Sequence, residues 1–151
     1  MEESLSLLEQ LKNEFNSKEV DIKTYSPLTL AFIGDCIFDQ IIRTLLVLDG
    51  NRSVESLHKH KSKIVKASAQ AAMAEALADK LNEAEADCYR RGRNAKSYTT
   101  AKNASVSDYR KATGFEALMG YLYLTGQQTR MIELVKAGLE LTGLEIYGKQ
   151  D

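Results

Sequence analysis

The chain has 151 residues, with 20 Lys and Arg against 21 Asp and Glu and a net charge of −1. That balance gives composition no bias toward nucleic acid or a membrane surface, and two cysteines, Cys36 and Cys88, are too few for a disulfide framework. One proline, nine glycines and no stretch of strand-like alternation favour an all-helical chain. The length suits a single domain, residues 1–151, with a core of its own. No apolar run is long enough to cross a bilayer, and Met1-Glu2-Glu3-Ser4 is not a basic region leading into an apolar one. A reduced, cytoplasmic setting without membrane association is therefore expected.

In chain order, Glu2 to Phe15 places Leu5, Leu7, Leu8, Leu11 and Phe15 near helical spacing. A polar linker, Asn16 to Lys23, follows. Ser26 and Pro27 then suit the N-cap and first position of a second helix running to Leu48. Apolar residues cover most of its circumference, which predicts a buried central helix. Asp49-Gly50-Asn51 breaks it. Ser53 can cap a third helix, Ser68 an alanine-rich fourth ending at Leu81, and Asn82 a fifth from Glu83 to about Arg91. Acidic Glu83 and Glu85 in that helix's first turn, with arginines in its last, suit the helix dipole. Gly92 to Ser105 reads as a loop. Ser107 can cap a sixth helix ending at Leu124, with Gly126 as its stop. Thr129 to Leu141 reads as a seventh helix, and the tail from Thr142 as weakly structured.

Two acids stand out. Asp35 is the only charge between Leu28 and Phe38, and Glu116 the only charge between Ala112 and Leu124. A buried charge is costly without a partner, so Asp35 calls for a salt bridge, a cap or a metal. Taken singly, each acid also fits a buried ion pair or a half-exposed helix edge. Taken together, the nearby glycines Gly34, Gly114 and Gly120 would let the two helices approach and bring both acids to one point. Converging carboxylates repel, and a divalent cation resolves the repulsion. Carboxylates alone favour Mg²⁺ or Mn²⁺ over zinc.

The most basic window is Tyr89 to Lys96, with Arg90, Arg91, Arg93 and Lys96. It reads either as a solvated helix end or as a phosphate-binding loop just ahead of Glu116. The run His58 to Lys66 has the same two readings, wet surface or RNA contact, and His58 and His60 point to different faces. Cys36 and Cys88 read as small packing groups, Tyr121 and Tyr123 as core aromatics, and Asp39 as either support for Asp35 or helix rim.

Leu30-Ala31-Phe32-Ile33-Gly34-Asp35 resembles the signature helix of the ribonuclease III family, and Phe115-Glu116-Ala117 resembles its second acidic motif. The short length, Tyr25 to Leu28 and Ala112 to Leu118 are similar to the Mini-III branch. This resemblance implies an all-α endonuclease domain of about seven helices that dimerises and cuts double-stranded RNA with Mg²⁺, for which Mn²⁺ can substitute. It implies that Asp35 and Glu116 are the catalytic, metal-holding acids, and that Phe32 packs into the partner subunit. The branch lacks a separate double-stranded RNA-binding domain and is associated with maturation of 23S ribosomal RNA. Two positions depart from the wider family, which places acids where this chain has Ala31 and Thr113. One metal between Asp35 and Glu116 is the resulting expectation. The departures also leave room for a catalytically inactive RNA-binding module, and a helical protein-interaction domain is a third reading.

Overall fold

A computed structural model describes residues 5–19, 21–95 and 105–146. These residues form seven α-helices: α1 (Leu7–Glu14), α2 (Pro27–Leu48), α3 (Val54–Val65), α4 (Ala67–Leu77), α5 (Glu83–Asn94), α6 (Val106–Leu124) and α7 (Gln128–Thr142). Short 3-10 turns, Ile22–Thr24 and Ala78–Lys80, precede α2 and follow α4, and no strand occurs among the described residues. The all-helical expectation and the order of seven helices hold.

Local chemistry sets most boundaries. Ser26 Oγ accepts from the Thr29 amide with Pro27 in the first helical position, and Ser53 Oγ accepts from the Ser56 amide. Asn82 and Glu85 form a reciprocal capping box at the start of α5. Gly126 and Gly143 end α6 and α7 at positive φ, 72° and 71°.

Two expected caps are displaced. Helix α6 is capped by Ser105, not Ser107, and so begins at Val106. Helix α4 has no side-chain cap; Lys66 alone turns the corner between α3 and α4, and Ser68 lies inside the helix. Helix α5 reaches Asn94, past the loop start expected at Gly92, because Gly92 is buried against Ala117 and Gly114 of α6. The tail also differs from expectation. Leu144 and Ile146 join the core, and His60 Nε2 lies 2.7 Å from the Glu145 carbonyl oxygen.

The central helix is α6, not α2. Helix α6 buries Ala112–Phe115, Ala117–Gly120 and Leu122, and it meets α2, α4, α5 and α7. Helix α2 buries one face only, through Leu30, Ala31, Gly34, Ile37, Phe38, Ile42 and Leu46. Its other side leaves Leu28, Phe32, Val47 and Leu48 exposed, so burial in the core accounts for only part of its apolar circumference. Phe38 and Phe115 meet edge to face at 5.1 Å in the middle of the core.

Candidate active site

The site is built where α2 crosses α6. Gly34 and Gly120 remove the side chains that would hold the helices apart. A Cβ on Gly34 would overlap the Glu116 carbonyl oxygen, and one on Gly120 would overlap the Leu30 carbonyl oxygen. The two backbones are in direct contact. Asp35, next to Gly34, and Glu116 are thereby brought together, as expected from Gly34 and Gly120, whereas Gly114 packs against Tyr89 of α5 instead of α2.

The two carboxyls differ in environment. Asp35 is exposed, contrary to the burial expected of it, whereas Glu116 is partly buried. Burial raises the Glu116 carboxyl first, and the charge of Asp35 and a hydrogen bond to it add to the effect. A weaker opposing hydrogen bond comes from Gln70, and the net result is a carboxyl pushed up to about 8.

Gln70, on α4, is the neighbour that sequence reasoning missed. It is 2 % exposed, and its Nε2 donates to the Val65 carbonyl at 2.7 Å and to Glu116 Oε2 at 3.4 Å. Its Oε1 is buried and finds no hydrogen-bond partner among the described residues. Its signal in the sequence is faint, a single polar residue in the run Ala69 to Ala74.

These groups fit a hard divalent cation. Two repelling carboxylates form an all-oxygen pair, with no nitrogen or sulfur ligand beside them among the described residues. Among the described residues no third His, Cys, Asp or Glu joins them. Ala31 is buried, and Thr113 Oγ1 donates to the Tyr109 carbonyl at 2.9 Å, so neither departure from the family pattern is replaced by a nearby acid. Magnesium held by one or two carboxylates, with water completing its shell, matches this arrangement.

Most of the other predicted residues lie on α2, α5 and α6. Asp39 belongs to the rim, where it pairs with Arg43 at 2.6 Å and Lys61 at 3.5 Å. Arg90, Arg91 and Arg93 lie on the last turns of α5 and not in a loop. Arg90 pairs with Asp87, Arg91 is exposed, and Arg93 sits 5.8 Å from the centre of the Tyr89 ring. Lys96 lies outside the described residues. Phe32 is 81 % exposed, three residues before Asp35. Cys36 is exposed and so is not a packing group. Cys88 is one: it is buried, its thiol is pushed up to about 11 by burial, and its Sγ donates to the Ala117 carbonyl. Tyr121 and Tyr123 pack against the core.

The fold and its crossing acids define an all-helical domain with a paired-acid site, and comparison with known proteins identifies it further. The ribonuclease III domain model matches residues 28–127, which include both acids. A Mini-ribonuclease 3 from Thermoanaerobacter sp. is 46 % identical over 137 residues, 90 % of this chain and 96 % of that protein. Those from Clostridium tetani and Enterococcus faecalis are 43 % and 46 % identical, covering 87 % and 82 % of this chain and 86 % and 95 % of theirs. A crystal structure of a Fusobacterium nucleatum protein superposes with a TM-score of 0.74 at 27 % identity, over 81 % of this chain and 99 % of that one. The chain belongs to the ribonuclease III family of endoribonucleases, in its Mini-III branch.

Proposed function

We propose that this chain is a metal-dependent endoribonuclease that cleaves double-stranded RNA, acting as one catalytic domain of residues 1–151. The observation that carries this reading is the convergence of Asp35 and Glu116 at a direct backbone contact of α2 and α6. Both acids would hold Mg²⁺, or Mn²⁺ in its place. Such an ion lowers the pKa of a bound water and neutralises charge on a phosphodiester. Exposed Asp35 is open to substrate, while partly buried Glu116 is fixed against the protein. Hydrolysis leaves a 5′-phosphate and a 3′-hydroxyl.

Arg90, Arg91, Arg93 and Lys96 supply phosphate contacts. Such contacts read no sequence, so the duplex is recognised mainly by shape across its minor groove. Phe32 anchors a homodimer, supported by its exposure on the apolar side of α2. Two-fold symmetry then gives each strand one site. Likeness to the Mini-ribonuclease 3 proteins supports a ribosomal RNA precursor, the 23S precursor, as substrate, and cytoplasmic action follows from that substrate.

A second reading, an inactive RNA-binding module, is favoured only by the absence of acids at Ala31 and Thr113. Duplex RNA incubated with wild type, Asp35→Asn and Glu116→Gln in Mg²⁺ separates the two. Cleavage by the wild type alone supports the enzyme. Binding without cleavage by the wild type in Mg²⁺ and in Mn²⁺ supports the module.

A further inference from the structure

We propose that Gln70 is a positioning residue for the metal-holding carboxylate, fixing Glu116 toward Asp35 so that the cation meets a single preset orientation. This rests on the metal-dependent reading above and adds to it a third helix.

The argument begins with the inventory of the amide. A glutamine nitrogen has two N–H donors. Here one is committed to the Val65 carbonyl at the end of α3 and the other faces Glu116 Oε2 on α6. The short bond, 2.7 Å, is the anchor, and the longer one, 3.4 Å, is the contact it aims. Turning the amide over would set its oxygen against both acceptors, so the observed orientation is the only one that satisfies them. At 2 % exposure the side chain has no freedom to leave. Buried Ala69 and Ala71 fix the helix on either side of it.

Stability alone does not account for this residue. Its Oε1 is buried without a partner among the described residues, which is unfavourable for a side chain whose only task is packing. A leucine or methionine would fill the same volume and leave the Val65 carbonyl, not Oε1, as the orphaned oxygen. What neither could do is donate to Glu116. Groups that hold a metal's ligands in place commonly carry a tenfold or larger share of its affinity.

The test is Mn²⁺ binding by RNA-free protein, read from the electron paramagnetic resonance signal of free Mn²⁺, with Glu116→Gln as control. Gln70→Leu and Gln70→Met both remove the donor with different shapes, so one remains informative if the other fails to fold. The expected result is a Kd for Mn²⁺ raised about tenfold or more in both, as for other residues that orient a metal's ligands. Both variants also strand the Val65 carbonyl, so a modest fall in thermal midpoint accompanies the loss of Mn²⁺ affinity, and KM for RNA should be unchanged. A folded variant with wild-type Mn²⁺ affinity overturns the proposal, as does a lowered midpoint with unchanged affinity. If the wild type binds no Mn²⁺, or Glu116→Gln binds it equally well, the metal site itself is refuted and the role of Gln70 falls with it.

Discussion

Gly34 lies flush against the backbone of Glu116, leaving no space for a side chain between them. A Cβ there would also stand 2.7 Å from the Gly120 nitrogen, so backbone and not a flexible side chain would have to yield. Gly34→Ala should therefore cost about 3 kcal/mol, the upper end of what overpacking costs. It should also separate the two acids and lower cleavage at any metal concentration. A urea unfolding midpoint equal to that of the wild type would refute this.

The ion pair of Glu85 with Arg130 makes a second prediction. Glu85 is fully buried, and Arg130 donates to it twice, each bond at 2.9 Å, and to the Lys80 carbonyl at 2.8 Å. Removing the cation strands a buried charge, so Arg130→Ala should destabilise by roughly 3 kcal/mol. Arg130→Met, which keeps the bulk, should cost nearly as much, and thermal melts of both variants measure it.

The same pair sets a pH dependence. The Arg130 hydrogen bonds hold the Glu85 carboxyl below its usual value of 4.5. A depressed folded-state pKa means that the unfolded chain takes up the proton first as pH falls. The stabilisation is thus complete above about pH 4.5 and is lost below it, as pH drops toward the depressed folded value. Wild-type stability should fall along that limb, and Glu85→Gln, already destabilised, should show a flatter one. Parallel limbs in acid titrations of the two proteins would contradict this.

Phe32 predicts the assembly state. With 81 % of its surface exposed on an apolar helix face, it is costly to leave in water. Phe32→Asp should convert a dimer to monomers in sedimentation equilibrium while leaving the helical circular dichroism intact. A wild type that sediments as a monomer at micromolar concentration would remove Phe32 from the interface.

The α5 arginines should act unequally. Arg91 is exposed, whereas Arg90 already neutralises Asp87 and Arg93 lies over Tyr89. Arg91→Ala should weaken binding to duplex RNA and flatten its dependence on salt by about one counterion, as loss of a phosphate contact does. Arg90→Ala should do less. Binding curves across a range of salt concentrations distinguish these outcomes from no RNA role at all.

Much of this architecture was legible from residue types. Ser26-Pro27, Asn82 and Gly126 carry their own local instructions, and they fixed helix ends without tertiary help. The two lone acids were legible for a similar reason, since charge is rare in apolar helices. What failed depended on partners distant in sequence. Glu85 resembles an ordinary dipole-matching acid until Arg130, 45 residues on, closes over it. Gln70 is one polar residue in an alanine run until α6 brings Glu116 beside it. The apolar circumference of α2 suggested a centre, but hydropathy does not separate a surface covered by the same chain from one left open, and α6 holds the central place.

The glycine seam between α2 and α6 has a consequence for biosynthesis. Its two sides are separated by about eighty residues, so the contact is among the least local in the chain. A growing polypeptide that has emerged only through α5 contains Asp35 but nothing for it to face. The paired-acid site is therefore incomplete throughout synthesis of the first five helices, and it closes only when the sixth helix is free to dock.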